Sequence, residues 1–322
     1  MPSSFSGLAK LAAKQHGLMT HAQAISAGLT RTKLSRLVKA KVWQQVRPRV
    51  FRRTAADQTE EQELVAICLW LGEGTVVSHR SAARILGLNL KRGLPEVTTA
   101  RHMARNAEDF ICHRTDDLTG DDLKAQSKIP ITNGARTIID LASCLSEEAL
   151  AIAVEEAWRL RVAAPSWVQK RLGEIEARGR QVGALVQILE DCATRKKPLE
   201  SALEVRAWRL IKKAGLPTPR AGYEFSDEHG QPGRIDIAYP AQQLAIECDG
   251  YEHHGTREAF ESDRLRTTRL AALGWRVFQI TSKQLDEQPA AVVQRIKEAL
   301  TYRTASWDRP QPVADFFTKH EF

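Results

Sequence analysis

Acidic residues are absent from the first 56 positions of this 322-residue chain, which carry eleven lysines and arginines. The remainder holds 36 of the 47 basic residues against all 39 acidic ones, so the formal net charge of +8 originates entirely in the N-terminal segment. A basic run is often only a solvated face. A folded segment of this size without any acid favours instead a polyanion, and DNA in particular, as its partner.

Cysteine is also scarce, and long apolar runs are missing. The five cysteines are scattered with no C-x-x-C pair, which predicts reduced thiols in the cytoplasm and argues against a zinc site. No run of about 18 apolar residues occurs, so we expect no membrane span. Lys10 and Lys14 lie where a signal peptide needs apolar residues, so we do not expect export. Aromatic residues make up only 6%, so RNA is a weaker expectation than DNA.

Three short helices and a hairpin are predicted in residues 1–56. Apolar spacing predicts helices over FSGLAKLAAKQH, HAQAISAG and RTKLSRLVKAK, the last two capped by Thr20 and Thr30. The alternating segment VWQQVRPRVFRR predicts a hairpin. This combination is typical of a winged helix-turn-helix, whose third helix enters the major groove while the hairpin approaches phosphates. The predicted DNA contacts are Arg31, Lys33, Arg36 and Lys39 on the third helix and Arg47 and Arg49 on the hairpin.

The run QHGLMT…AQA…AGLTRTKLSRLVKA…W…V resembles the winged-helix domain of AbiEi-type antitoxins. The strings SHRSAA and ARTIIDLA, further along the chain, recur in the same architecture. The resemblance implies a DNA-binding regulator and leaves a partner toxin open. Relatives usually carry glycine where Arg49 stands, so the turn type of the hairpin is also open. The alternative is a hairpin that packs on the rest of the protein and binds nothing, and the charge of the segment favours DNA over it.

Residues 57–194 are predicted to form a middle domain that is α/β at first and helical from about residue 135. EQELVAICLWLG and SHRSAARILGL predict helices, the second capped by Ser78, and LPEVTTA and DFICHRT predict strands. The segment shows no catalytic constellation. His79 and His113, each followed by an arginine, could contact phosphates, but a hydrogen-bonded structural histidine is the more common outcome.

Three carboxylates in the last third of the chain lie in unusual settings. Asp236 belongs to the alternating run RIDIAY, and Glu247 and Asp249 follow the apolar run LAI. Both runs predict strands close enough in sequence to pair as a hairpin, and Glu247 and Asp249, at i and i+2, point the same way. Clustered carboxylates repel each other, and their burial is unfavourable unless a cation compensates. Mg²⁺ would do so, because it binds through one or two carboxylates and keeps water ligands.

Glu204 lies in the first turn of a predicted helix, three residues after Ser201. The pattern Ser-x-x-Glu is typical of a capping box, in which both side chains bond backbone N–H groups. A carboxylate in the first turn can also face a neighbouring sheet and reach a metal site. Both roles of Glu204 stay open.

These residues together resemble the Vsr-like (very short patch repair) branch of the PD-(D/E)XK nuclease superfamily. The pattern is helix-Glu, strand-Asp, Glu-x-Asp-Gly-x-x-His, Asp-x-x-Arg and Gly-Trp-Arg-Val, over about residues 198–300. The resemblance implies a mixed sheet flanked by helices and DNA cleavage that depends on Mg²⁺ or Mn²⁺. The implied metal ligands are Asp236 and Glu247 with Glu204, the implied catalytic set adds Asp249 and His253, and Arg266 approaches the substrate backbone. Asp249 stands where the superfamily usually has a lysine, which the Vsr-like branch also lacks. The general base therefore stays open between His253 and a substrate phosphate.

The predicted architecture is therefore multidomain α+β. It comprises a winged helix-turn-helix at 1–56, an α/β and helical middle domain at 57–194, a restriction-endonuclease-like α/β/α domain with a mixed sheet at 195–302, and a tail at 303–322. The predicted function is Mg²⁺-dependent hydrolysis of DNA. The alternative is a non-catalytic repressor or type IV antitoxin-like regulator that uses the nuclease fold as a binding module. A homodimer is compatible with either.

Overall fold

A computed structural model describes residues 5–99, 108–175, 182–227, 230–249, 265 and 267–301. The chain forms two compact units, Met1–Pro198 and Leu199–Phe322. Several helices and mixed sheets confirm a multidomain α+β class. In the described part of the chain, no helix combines the length and the apolar character needed to cross a membrane.

The first unit begins with three helices and a three-stranded antiparallel sheet. The elements are α1 (Phe5–Lys14), β1 (Leu18–Thr20), α2 (His21–Ser26), α3 (Arg31–Lys39), β2 (Trp43–Arg47) and β3 (Val50–Arg53), with sheet order β1-β3-β2. The predicted hairpin is β2 with β3, and the short strand β1 adds to it. Thr20 and Thr30 are the N-caps of α2 and α3, as predicted. The apolar side chains, among them Leu8, Met19 and Trp43, enclose one core.

The same unit continues with a five-stranded sheet and six helices. The elements are α4 (Glu60–Leu71), β4 (Val76–Val77), α5 (His79–Ile85), β5 (Glu96–Thr99), β6 (Ile111–Arg114), β7 (Leu123–Gln126), β8 (Ile129–Thr132), α6 (Gly134–Leu141), α7 (Glu147–Arg159), α8 (Pro165–Glu174) and α9 (Val182–Ala193). The strand order is β6-β5-β4-β8-β7, with β4/β8 and β5/β6 parallel. Ser78 precedes α5, but its hydroxyl does not cap the helix as predicted. It bonds the side chains of His79 and Thr98 instead, and the chain enters α5 with His79 in a left-handed conformation, φ 49°.

Gly134, the first residue of α6, lies against the backbone of the segment after α7. A Cβ atom at this position would be 2.0 Å from the carbonyl oxygen of Val162. Two backbone segments would have to move apart, so we expect Gly134→Ala to lower the free energy of unfolding by about 2–3 kcal/mol. Urea unfolding of the full chain measures this difference. Gly93→Ala is the control, since no atom lies within 4 Å of a Cβ built there, and equal effects of the two substitutions would contradict the close approach.

The second unit contains a four-stranded mixed sheet. Its elements are α10 (Ala202–Lys213), β9 (Arg220–Ser226), β10 (Pro232–Tyr239), β11 (Leu244–Asp249), a helical segment 267–272, β12 (Arg276–Thr281), α11 (Ser282–Glu287) and α12 (Pro289–Thr301). The strand order is β12-β11-β10-β9, with only the β11/β12 pair parallel among these strands. Helix α10 packs against β10 and β11. The helix that carries Glu204 therefore covers the two strands that carry Asp236 and Glu247.

Candidate active site and nucleic-acid surface

The antiparallel pair β10 and β11 brings Asp236 next to Glu247. Ile237 pairs with Ile246, so the next pair in this register is Asp236 with Glu247. At this point the backbone N–H of Cys248 donates a hydrogen bond to Asp236 Oδ2 at 2.9 Å. The Asp236 carboxylate is thus fixed by the strand that carries Glu247. The predicted hairpin is confirmed, and it brings two of the three predicted strand carboxylates together.

Glu247 is buried, with 4% of its surface exposed, as is Glu204. On its other side it pairs with Gln279 of the parallel strand β12. Two carboxylates at neighbouring sheet positions, one of them buried, are unfavourable unless positive charge or hydrogen-bond donors lie close by. The arrangement therefore requires compensation from the chain or from a bound cation.

Helix α10 adds a third carboxylate, that of Glu204. Ser201 is the N-cap and accepts a hydrogen bond from the Glu204 N–H at 3.0 Å, which confirms half of the capping box. The reciprocal half differs, because Glu204 Oε2 accepts from the N–H of Glu200, at 3.0 Å, rather than from Ser201. The same oxygen also accepts a hydrogen bond from Arg234 Nη2 at 3.3 Å. Glu204 is therefore both part of the helix cap and part of the charged site.

Burial raises the pKa of Glu204 to about 7, and the negative charge of Asp236 adds to the increase. Hydrogen bonds and the attraction of Arg234 act in the opposite direction without cancelling it. A carboxyl group with this pKa is partly protonated at neutral pH. Glu204 can thus hold or release a proton beside Asp236 within the physiological pH range.

The raised pKa makes the stability of this unit depend on pH. Folded Glu204 holds its proton up to about pH 7, whereas the unfolded residue loses it near 4.5. The folded state therefore binds more protons between these values, and stability falls as the pH rises through this window. Glu204→Gln removes the titrating group and with it this pH-dependent decrease in the free energy of unfolding. Between pH 4 and pH 8 we therefore expect the stability of the variant to increase, relative to that of the wild type, by an amount on the order of 3 kcal/mol. Urea midpoints of both proteins across this range test it, and parallel pH curves would contradict the shift.

Arg234 provides positive charge within the site. Its guanidinium forms ion pairs with Glu200 and Glu204, and Nη2 lies 3.8 Å from Asp236 Oδ1. Sequence reasoning missed this residue, although Arg234 and Asp236, at i and i+2, lie on one face of the strand. The i, i+2 spacing placed Arg234 beside Asp236, but the sequence did not show that α10 would bring Glu204 to the same place.

The carboxylates of the two neighbouring strands fit the donor set of a divalent ion. Within the described ranges, Glu204, Asp236 and Glu247 are not among the groups whose ligand atoms all lie within 4.8 Å of one another. Arg234 and the helix cap hold the Glu204 carboxylate, and a role of Glu204 as a third ligand stays a prediction. Asp236 and Glu247 remain adjacent and offer the all-oxygen coordination that Mg²⁺ prefers, which needs one or two carboxylates and water.

Of the remaining predicted site residues, the structure describes Asp249 but not His253 or Arg266. Asp249 is half-buried at the end of β11, where it pairs with Thr281 of β12. His253 and Arg266 lie outside the described residues. Burial raises the pKa of the Cys248 thiol, and the charges of Asp236, Glu204 and Glu247 raise it further. The charges of all three carboxylates therefore act on the same thiol.

Helix α3 presents a basic surface in the first unit. Arg31, Lys33, Arg36 and Lys39 are all exposed, while Leu34 is buried in the core beneath them. Arg49 is exposed in the hairpin turn with φ 62°, a left-handed conformation that favours glycine. Glycine would therefore adopt this turn conformation with less strain than Arg49 does.

Arg47 faces inward, unlike the other predicted DNA contacts. Its guanidinium forms ion pairs with Asp109 and, at 3.7 Å, with Glu63. It also lies over the rings of Trp70 and Phe110, at 5.8 and 5.7 Å from their centroids. Phosphate binding would require Arg47 to leave four partners, so we remove it from the proposed DNA surface. To this extent the hairpin packs on the rest of the protein, as the alternative interpretation expected.

Comparison with known proteins supports a nuclease-like domain at this site. Residues 219–300 match the model of a restriction endonuclease-like family, REase_MTES_1575. The matched segment contains Asp236, Glu247 and Asp249 but not Glu204. The C-terminal unit thus resembles restriction endonucleases on the strands that carry the acidic pair.

Two relatives from Mycobacterium tuberculosis match a larger part of the chain. Uncharacterized protein Rv2248 of strain H37Rv and uncharacterized protein MT2308 of strain CDC 1551 are each 26% identical over 243 residues, which is 74% of this chain and 85% of the relative. The crystal structure of the RV2827C protein from the same organism covers 70% of this chain and 89% of that chain, with 13% identity and a TM-score of 0.40. A similarity at this TM-score supports no conclusion about fold or function.

Proposed function

We propose that the protein binds DNA and hydrolyses its phosphodiester bonds in the C-terminal domain with a divalent ion, Mg²⁺ or Mn²⁺. The placement of Asp236 beside Glu247 on neighbouring strands, beneath the helix that carries Glu204, is the observation that supports this most directly. Restriction endonuclease-like domains typically use divalent metals, and the family match includes both strands. The substrate class follows from the basic N-terminal segment, which favours duplex DNA.

Each acidic residue has a separate role in this proposal. Asp236 and Glu247 hold the ion, with the Cys248 N–H orienting the Asp236 carboxylate. When bound, a divalent ion polarises a phosphoryl oxygen and lowers the pKa of an attacking water. Glu204, with a pKa of about 7, exchanges a proton near the site and is positioned by Arg234. Asp249 and His253 stay predictions as the further acidic group and the general acid or base.

The DNA-binding role is assigned to the N-terminal segment, which we interpret as a winged helix-turn-helix. Three helices and a hairpin in the order α1-α2-α3-β2-β3 match that interpretation, and α3 exposes four basic side chains. Helix α3 would enter the major groove, and Arg49 would contact the backbone beside it. This segment would supply affinity, and the C-terminal domain would supply the reaction.

The proposal is tested by nicking of supercoiled plasmid DNA. Purified full-length protein is incubated with plasmid and Mg²⁺ or Mn²⁺, with a chelator in a parallel sample. We expect metal-dependent conversion to the open circular form. Folded protein that leaves duplex, mismatched and single-stranded DNA intact with both ions would rule out the enzymatic function.

A non-catalytic DNA-binding regulator is the second candidate, and Arg234 favours it. Its ion pairs with Glu200 and Glu204 and its proximity to Asp236 reduce carboxylate repulsion without any metal. Retention of the acidic residues therefore does not by itself require a catalytic ion. A footprint on the DNA upstream of the protein's own gene, with the DNA left intact in the presence of Mg²⁺, would support this candidate.

A further inference from the structure

Three side chains that are distant in sequence meet in the first unit, whereas the carboxylate site belongs to the second. They are His79, the first residue of α5, Glu96 of β5 and His113 of β6. Each offers one ligand atom such that all three atoms lie within 4.8 Å of one another. His79 and Glu96 are buried and His113 is half-buried. Two imidazoles and one carboxylate are the donor set that divalent transition metals such as zinc prefer.

The surroundings of His79 orient its ring. Nδ1 lies 2.9 Å from Ser78 Oγ, and Thr98 Oγ1 donates a hydrogen bond to the same oxygen at 2.7 Å. Metal-binding histidines commonly have one ring nitrogen fixed in this way, which sets the tautomer and leaves the other for the ion. The Ser78 hydroxyl is available for this because it does not cap α5. The left-handed backbone of His79, at φ 49°, is a conformation that histidine adopts at a cost.

The Glu96 carboxylate contacts His113 with one oxygen and Arg80 with the other. Its Oε2 lies 2.9 Å from His113 Nε2, and its Oε1 accepts a hydrogen bond from Arg80 Nη1 at 3.1 Å. The rings of His79 and His113 are stacked with their centroids 3.4 Å apart and their planes 13° apart. The two imidazole rings therefore lie face to face, and one of them contacts the Glu96 carboxylate.

The two histidines of the cluster lie at the wall of a cavity. The cavity has a volume of about 800 Å³ and is lined by His79, His113 and Thr98 together with Arg114 and Thr115, among others. An ion bound by three protein ligands keeps coordination positions for water or a small ligand, as in catalytic zinc sites. Access through the cavity would let an ion enter and would let those positions face solvent.

We propose that His79, Glu96 and His113 bind a single divalent transition-metal ion of the zinc class. Ser78 and Thr98 orient His79, and Arg80 orients Glu96. This site lies in the first unit and does not depend on the nuclease function proposed for the second.

Zinc binding is measured on the full-length Asp236→Asn/Glu247→Gln double variant, so that the carboxylate site does not contribute. Competition with a chromophoric chelator gives stoichiometry and affinity, and Co²⁺ absorption reports the ligand field. We expect one Zn²⁺ per chain. His113→Gln should weaken binding by at least about tenfold, since even outer-shell partners of a metal are worth about 10–100-fold. His79→Asn should do the same, and asparagine tolerates the left-handed backbone.

His21→Gln, which removes a histidine elsewhere in the same unit, is the matched control and should bind as the parent does. Circular dichroism checks that each variant is folded. If His79→Asn fails to fold, His113→Gln, at a half-buried position, carries the test alone. Unchanged zinc affinity in the folded His113→Gln protein, or no saturable binding of Zn²⁺ or Co²⁺ by the parent, would overturn the proposal and leave a hydrogen-bonded histidine pair.

Discussion

Asp236→Asn will reduce Mg²⁺-dependent nicking of plasmid DNA by at least about 100-fold, because it removes one of the two carboxylates that we propose hold the ion. Outer-shell partners of metal ligands already cost about 10–100-fold when removed. Asparagine keeps the size of the side chain and an oxygen that can accept the hydrogen bond from the Cys248 N–H, which measures 2.9 Å in the wild type. The substitution therefore changes the charge at the site with little change in packing. Initial nicking rates at several Mg²⁺ concentrations measure the effect.

Asp286→Asn provides the matched control, since Asp286 is an exposed carboxylate on α11 of the same unit, paired with Arg206. The same change of charge there should leave the nicking rate within about twofold, because surface ion pairs contribute little. A contaminating nuclease would be recognised by equal activity in wild type and Asp236→Asn. Equal activity in two folded, independently purified preparations would exclude Asp236 as a metal ligand.

Replacement of Arg31, Lys33, Arg36 and Lys39 by alanine will weaken DNA binding by roughly 100-fold at moderate salt. Each lysine or arginine that neutralises a phosphate contributes about 0.9 to the slope of log K against log salt concentration, so the slope should decrease by up to about 3.6. All four side chains are exposed on one short helix. Their loss should therefore leave the core intact. Fluorescence anisotropy with labelled duplex DNA over a range of salt concentrations gives both affinity and slope.

A second quadruple variant tests whether DNA affinity depends on the α3 surface or on the net charge of the whole protein. Lys91, Lys170, Lys283 and Lys297 are exposed and lie outside the N-terminal segment. Their replacement by alanine changes the formal charge by the same four units. We expect this control to retain most of the affinity and of the salt slope. Equal losses in the two variants would show that DNA responds to the overall charge of the protein and not to α3.

These two experiments also separate the two candidate functions. An endonuclease loses cleavage with Asp236→Asn while its DNA affinity stays close to that of the wild type. A regulator does not cleave DNA, and of these variants only the α3 variant changes its DNA affinity. Arg234 is the structural reason to make this distinction, since its ion pairs neutralise part of the acidic site without a metal.

Much of the local structure was predictable from residues that are close in sequence. Thr20, Thr30 and Ser201 cap helices because a hydroxyl reaches a backbone N–H three residues ahead. The alternation around Asp236 and the short run before Glu247 predicted the β10/β11 hairpin. In each case the interacting residues are only a few positions apart or lie on strands joined by a short connection.

Long-range contacts were not predictable in the same way. Arg47 was expected to face DNA, but the middle segment supplies Asp109, Trp70 and Phe110 as partners. The cysteine pattern argued against a zinc site, and it could not reveal the cluster of His79, Glu96 and His113. These residues meet because parallel pairing of β5 with β6 and the start of α5 bring them together.

The sequence by itself determined the basic character of the N-terminal segment, the helix caps and the adjacency of Asp236 and Glu247. Those features depend on charge counts and on interactions between neighbouring residues. The tertiary structure decided which cations the carboxylates meet, because only the packing of α10 on the sheet brings Glu204 to Arg234. It likewise decided the pKa of Glu204, since the removal of a carboxyl group from water depends on everything packed around it.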